Sequence, residues 1–508
     1  MSTRRWLAGI WLAFTVRLLF YAAAYPIWEG FDEWAHFAVV RQMAAGHPLP
    51  ARDSRAPLDV AASLELASVA PAISNLPGAV VTHEQFWRLP VVEQQRREEA
   101  FRALPADYVS QASALGAYET LQPPLYYWLM TPLLRLLRHA PLAAQVFALR
   151  WAAVALGSLV VPLLFLLGRA VFRDERLALG CAVVGALMPE LAVTTARVSN
   201  ECLAIPLYTA LTWIAVRRRN WIAMGVVLGL GLITKAYFLA AAVGALAAFW
   251  APRSLLIAAG ISGWWYVRNW LTTGTVSGLS EAVTLRGTPA PSLLRTVETL
   301  PWGKAIDSIL FSNLYFGGWS SLMARSWMYH LLYLVIAVAA VGLVTLLRRR
   351  EIQSLVYIYG VFWIAQLYNA VLIFATKGVP TSMGWYLYAV AGAQVALCMA
   401  GLRRWIGAWA IAVGAVSFGL LDLYAMHALA LPYYTGLLGR KANGALAGLR
   451  FSDAHPAEVF HRLAAFKPEY VTAHGLMALW GAYAAATVGL IAAGVWLSMV
   501  GAARKRAA

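Results

Sequence analysis

The segment Glu29-Gly30-Phe31-Asp32-Glu33-Trp34-Ala35-His36 gathers acid, base and aromatic side chains directly after the first apolar run of the chain. Pro26 and Gly30 interrupt helix formation there, and Asp32 suits the N-cap of the helix that follows. Asp32 and His36, four residues apart, share one face of that helix, with Glu33 beside them. A carboxylate held among apolar rings at a membrane boundary can serve as a general base. The plainer alternative is that Asp32 only caps and His36 only packs. Asp32 and His36 also have the spacing of two metal ligands on a helix. No third ligand accompanies them, so a divalent metal is not favoured and no cofactor is expected.

Other polar groups lie at the ends of apolar runs. Tyr118-Glu119-Thr120-Leu121-Gln122-Pro123-Pro124-Leu125-Tyr126-Tyr127-Trp128 combines two helix-starting prolines with aromatics of the kind that anchor at a membrane interface. Taken alone, it reads as an anchor. Arg197-Val198-Ser199-Asn200-Glu201, Thr234-Lys235-Ala236-Tyr237, Arg268-Asn269 and Met383-Gly384-Trp385-Tyr386 follow the same placement. Arg197, Lys235 and Arg268 can converge on a lipid phosphate, which a guanidinium grips with two donors, or they can pair with Glu190, Glu201 and loop acids. The segment Asp453 to His461 also carries ligand-type residues, but its spacing fits an amphipathic helix better than a metal site.

The elements that must position these groups are membrane helices. Of 508 residues, 61% are hydrophobic and only 13% charged, about half the charged fraction usual in soluble domains. That balance excludes a soluble globule, and 22 Trp exclude disorder. Cys181, Cys202 and Cys398 lie in apolar segments and are too few for a disulfide framework. The net charge of +17 could suggest nucleic acid, but the basic residues cluster in short loops between apolar runs, such as Arg217-Arg218-Arg219, Arg348-Arg349-Arg350 and Arg504-Lys505-Arg506. Positive-inside logic puts these loops in the cytoplasm and removes nucleic acid as a partner.

Apolar runs near 6–25, 143–168, 177–195, 201–216, 221–234, 237–251, 254–268, 328–347, 352–374, 385–402, 405–430 and 475–498 predict about twelve spans. Both termini then lie inside, and every polar motif above falls at the outer face. The run 6–25 is read as a retained helix, since Arg17 interrupts it and no cleavage site follows. The expected architecture is all-α, a single transmembrane domain over 1–508 with sheet nearly absent. A large outer loop, 26–141, follows the first span, and smaller outer segments cover 269–327 and 431–474. Residues 124–139 are expected to form a helix lying on the membrane surface. Arg17, Arg150 and Asp422 fall inside spans and need partners there.

In this order, Asp32-Glu33, Pro123 to Trp128, Ile233-Thr234-Lys235 and Arg268-Asn269 resemble the motifs of the GT-C superfamily of polytopic glycosyltransferases. The chain looks most like bacterial lipid A aminoarabinose transferases, protein O-mannosyltransferases and a related bacterial membrane family. The resemblance covers nearly the whole chain, although each motif is short. It implies a polyprenyl-phosphate-linked sugar as donor, and Asp32, with Glu33, as the catalytic carboxylates, Asp32 being the base. It also implies donor binding by Lys235, Arg268, Asn269, Tyr386, Arg197, Gln122 and Tyr126, with His36, Asn200 and Glu201 nearby. Two positions depart from the pattern. Gln122 stands where aminoarabinose transferases carry a lysine, and Trp385 where many relatives carry an arginine. Membrane lipids are further expected partners. A glycan, a lipid and a protein all remain open as acceptor, and the expected location is the bacterial inner membrane. Competing readings are an O-antigen ligase or polymerase, whose main outer loop comes late in the chain, and a transporter or flippase, for which repeated halves are expected.

Overall fold

The computed structural model describes residues 2–47, 49–73, 80–218, 220–441, 444–448 and 455–507. Helices dominate. The named strands are confined to two short pairs in the 26–141 segment, Arg55–Pro57 antiparallel to Ala112–Gly116 and Ser68–Val69 parallel to Val81–Thr82.

A helix stands at each of the twelve positions expected from hydropathy, but the helices are unequal. Among the described residues, seven are long and apolar enough to cross a membrane: Thr3–Ala24, Leu142–Phe172, Ser326–Val344, Arg350–Lys377, Gly384–Ile406, Trp409–Tyr434 and Ala473–Ala503. Glu175–Leu187 with Pro189–Thr195, bent by 67°, makes an eighth if the pair is one span. The chain is a multi-pass membrane protein. The count of twelve is not reached because four of the expected spans are short or diluted. Trp221–Leu232 and Phe238–Ala248 have 12 and 11 residues, so each extends under ~20 Å against a hydrocarbon core of ~30 Å. Glu201–Arg217 has 17 residues with Pro206 inside it, and Arg253–Thr273 is interrupted by Ser, Arg and Asn.

The charges inside the bundle find each other. Arg17 lies 2.6 Å from Asp422, and both are fully buried. The Tyr21 and Tyr483 hydroxyls each donate to Asp422 at 2.7 Å, and Arg17 Nε donates to Thr487. This cluster joins the first helix to Trp409–Tyr424 and to the last helix.

The 26–141 segment packs onto one end of the bundle. Its Leu125–Leu136 helix buries Tyr126, Tyr127, Met130, Thr131 and Leu134, while Trp128 stays exposed and stacks on Trp264 at 5.8 Å. Buried Glu29 stitches the non-spanning segments together. Its carboxylate accepts from the Ser320 N–H and hydroxyl at 2.7 and 2.9 Å and lies 3.1 Å from His83 Nε2. Trp87 Nε1 donates to the Tyr434 carbonyl at 2.8 Å. In the distal segment Asp453 lies outside the described residues. Pro456–Leu463 is an amphipathic helix that buries Val459, Phe460 and Leu463 and pairs Glu458 with Arg462.

Breaking one partner of a buried ion pair costs about 3–5 kcal/mol, because the other charge stays buried alone. Asp422→Asn is therefore expected to lower the melting temperature of the detergent-solubilised protein markedly. The double variant Arg17→Met/Asp422→Leu is expected to recover most of that loss. Equal melting temperatures for Asp422→Asn and wild type would show that the pair contributes nothing.

Candidate active site

The first helix ends at Ala24 because Tyr25 is extended and Pro26 cannot continue it. Arg150, from the Leu142–Ser158 helix, fills the break. Its guanidinium donates to the carbonyls of Ala22, Tyr25 and Pro26 at 2.7–2.9 Å and forks onto Glu33 at 2.8 and 2.6 Å. The Val198 N–H completes the Glu33 shell at 3.0 Å. Glu33 is thus fully buried and fully engaged. In this arrangement Glu33 holds the turn.

Asp32 stands immediately before the Glu33–Ala44 helix with φ +57°, a left-handed conformation, and its side chain makes no capping bond. The capping expectation is corrected: the turn aims the carboxylate away from the helix N–H groups. Asp32 is half-buried and accepts from the Tyr118 hydroxyl at 2.7 Å. Next to it, Gly30 packs on Arg197 so closely that a Cβ would sit 2.8 Å from Arg197 Cδ. Only glycine leaves room there for the Arg197 side chain. Arg197 is 4% exposed, its guanidinium lies 4.7 Å over the Phe31 ring, and its Nε and Nη1 have no hydrogen-bond partner among the described residues. Phe31 in turn stacks on Trp385 at 3.8 Å. Trp385 therefore supports, through Phe31, a cation supplied from another segment.

Lys235 occupies the turn between Trp221–Leu232 and Phe238–Ala248. Its ammonium is 2.5 Å from Glu201 and 3.1 Å from the Asn200 side-chain oxygen, and it lies 5.5 Å over the Tyr386 ring. Tyr237 donates to the other Glu201 oxygen at 2.8 Å. The choice between ion pairing and anion binding thus divides: Lys235 is paired and Arg197 is not. His36 Nδ1 is 2.8 Å from the Tyr127 hydroxyl, and Nε2 is 3.4 Å from Ser199. Burial first, then the charges of Lys235 and Arg197, hold His36 well below its ordinary range, so it is neutral.

The acid not expected from sequence is Glu119. It is buried, with one oxygen 3.6 Å from His36 Nδ1. Burial, then the Asp32 charge, push its carboxyl up to about 8, while Lys235 and Gln122 pull the other way. Glu119 and Tyr118 sit in the aromatic-proline segment read as an anchor. The signal that could have separated them from it is an acid beside an interfacial tyrosine.

Four of the other expected residues stand differently. Gln122 touches the site through Glu119. Tyr126 is buried against the loop core, its ring centroid 6.4 Å from His36. Arg268 lies 4.9 Å over Trp265, and Asn269 turns its amide to the carbonyls of Val276 and Ser277, where it holds a loop. No group of three His, Cys, Asp or Glu side chains placed to hold a metal occurs among the described residues.

The raised Glu119 carboxyl has a consequence for stability. The folded state holds this proton up to about pH 8, whereas an unfolded carboxyl releases it near pH 4.3. Its contribution is complete below the unfolded value and is lost as pH rises toward 8. Glu119→Gln is expected to gain stability relative to wild type between about pH 4.5 and 8, measured as the difference in melting temperature across that range. A constant difference would place the Glu119 carboxyl at its ordinary value.

No family model matches the sequence, and no curated protein does. Among solved structures the chain is similar to ArnT from Cupriavidus metallidurans in the apo state, at 12% identity over 98% of this chain and 77% of that one, TM-score 0.47. The same enzyme bound to undecaprenyl phosphate matches at 14% identity over 97% and 77%, TM-score 0.45. The Archaeoglobus fulgidus oligosaccharyltransferase tethered with an acceptor peptide matches at 14% identity over 91% of this chain and 56% of that one, TM-score 0.30.

Proposed function

We propose that this chain is a GT-C-type membrane glycosyltransferase that moves a sugar from a polyprenyl-phosphate donor to an acceptor hydroxyl, with Asp32 as general base. The observation that carries this reading is the meeting of two uncommitted groups. Asp32 is held by a single side-chain hydrogen bond, and the buried Arg197 guanidinium, packed against Gly30 and Phe31 of the same turn, has donors without partners among the described residues. A base beside an anion-binding cation suits a displacement whose leaving group is a phosphate. The motif order described above supplies the reaction class.

In this mechanism Asp32 takes the proton from the acceptor hydroxyl as its oxygen bonds to the anomeric carbon. The bond from that carbon to the lipid-phosphate oxygen breaks, and its electron pair leaves with the phosphate. Arg197 stabilises the growing negative charge, with Lys235 behind it on the Tyr386 ring. One displacement inverts the anomeric configuration. Glu119 keeps its proton at neutral pH, so it offers Asp32 a neighbouring hydrogen-bond donor and not a second negative charge. His36, neutral and bonded to Tyr127, positions this wall.

The basic clusters put the termini in the cytoplasm and this site at the outer face of a bacterial inner membrane. Segments 26–141, 269–327 and 431–474 form the outer cap of one transmembrane domain. The acceptor is a hydroxyl on a glycan, lipid or protein reaching that face.

Purified Asp32→Asn is expected to lose transfer from undecaprenyl-phosphate-linked sugars by about 10²–10⁴-fold, with its melting temperature and its retention of undecaprenyl phosphate in native mass spectra unchanged. Arg197→Gln is expected to retain less of that lipid. Full activity in Asp32→Asn would sink the assignment of the base.

A further inference from the structure

A cavity of about 290 Å³ lies within the bundle, away from Asp32, between the helices Ser326–Val344, Arg350–Lys377, Ala391–Ile406 and Trp409–Tyr424. Its walls are overwhelmingly aliphatic and aromatic, with Val184 and Leu314 among them. Ile336 and Ala340 line it and are also exposed on the outer side of the bundle. The cavity therefore opens sideways, at a level where every flanking helix is of membrane-spanning character. Interiors pack with few voids larger than a water molecule. A dry space of this size that opens onto bilayer is filled by what surrounds it.

The wall nearest the active site is closed. Asn313 donates to the Gly384 carbonyl at 3.2 Å and accepts from Gln394 at 2.6 Å. The Gly384 N–H donates to Ser312 at 2.7 Å, and Tyr388 donates to the Asn313 carbonyl at 2.5 Å. This buried seam stands between the cavity and the Gly384-Trp385-Tyr386 turn that carries the ring under Lys235. A lipid whose phosphate lies at Lys235 and Arg197 cannot thread its tail through the seam without breaking those bonds.

We infer that the cavity is a binding site for one acyl chain of a bilayer phospholipid, separate from the lipid taken by the Asp32 site. The chain enters beside the helix Ser326–Val344, past Ile336 and Ala340 one turn apart on it, and lies against Leu314 and Val395. The inference holds whatever reaction the Asp32 site performs, since it rests only on the cavity, its lateral mouth and the seam.

The test uses the full chain in nanodiscs of phosphatidylethanolamine carrying a diazirine near the end of one acyl chain, with peptides mapped after irradiation. Labelling of the interior walls, Leu314 and Val395, is expected in wild type. It is expected to be lost in Ala340→Trp, which fills the mouth, and retained in Val341→Trp, which points an equal bulk from an exposed position. A diazirine-tailed prenyl phosphate is expected to leave the interior walls unlabelled. Acyl label confined to exposed Leu331, Leu334 and Val341 would overturn the proposal, as would interior labelling by the prenyl probe. The wild-type comparison of the two probes decides the matter by itself if Ala340→Trp does not fold.

Discussion

The candidate site depends on one buried ion pair, Arg150 with Glu33. A guanidinium in the Leu142–Ser158 helix reaches the broken end of the first helix and satisfies three of its carbonyls while gripping Glu33 with two donors. Those carbonyls have no partner within a helix that stops, and inside a bundle no water replaces one. Lys467 adds a second cation 3.3 Å from the Tyr25 carbonyl. With the turn fixed at both ends, the three residues between Glu29 and Glu33 have little freedom. Asp32 is held in a left-handed conformation that costs an L-residue about 1–2 kcal/mol, less for aspartate, whose short polar side chain visits it more readily. The strain is sustained because Glu33 and Glu29, on either side, are both locked.

The same turn decides which cation stays free. Arg197 enters the site where Gly30 leaves room for it and lies on Phe31, so the turn that aims Asp32 also seats the guanidinium. Aromatic support replaces ion pairing here: Phe31 offers its ring face to Arg197, and Trp385 stacks on Phe31. A buried arginine without a carboxylate is costly unless something else compensates the charge. Around Arg197 the compensation comes from Glu201, Asp32, Glu190 and Glu33, none of them bonded to it. Lys235 shows the opposite arrangement, spent on Glu201 and Asn200 and facing the site only through Tyr386.

Much of the fold was legible in the sequence because hydropathy and charge report directly on the bilayer. Helices stand at all twelve expected positions, and Arg17, Arg150 and Asp422, which needed partners inside spans, have them. The count of crossing helices was less legible, since two apolar runs around Lys235 fold as short helices meeting at a turn. The site was legible as a neighbourhood but not as roles. Asp32 and Glu33 are adjacent in sequence and read alike, yet one is engaged by Arg150 and the other by a tyrosine 86 residues away. Glu119 looked like part of an interfacial anchor because its burial comes from packing of the loop, which no local pattern encodes. Asn269 fitted a motif, but its amide is occupied by the carbonyls of the loop it closes.

The division of polar groups between the two ends of the molecule follows from solvent. At Arg17 and Asp422, buried among helices, the two charges pair with each other, Asp422 also accepts from two tyrosines, Arg17 Nε donates to a threonine, and together they clamp three helices. At Asp32 and Arg197, under the cap, the set is left open: donors and an acceptor lack full protein partners although they are buried or half-buried. An open set is tolerable only where a ligand or ordered water can complete it. The cap provides the place for such completion by burying the site under Tyr118, Glu119 and Gln122, and the Glu29–His83–Ser320 contacts hold that cap to the turn. The ion pair at the centre of the first set gives stability, and incompleteness of the second leaves binding energy for whatever enters the site.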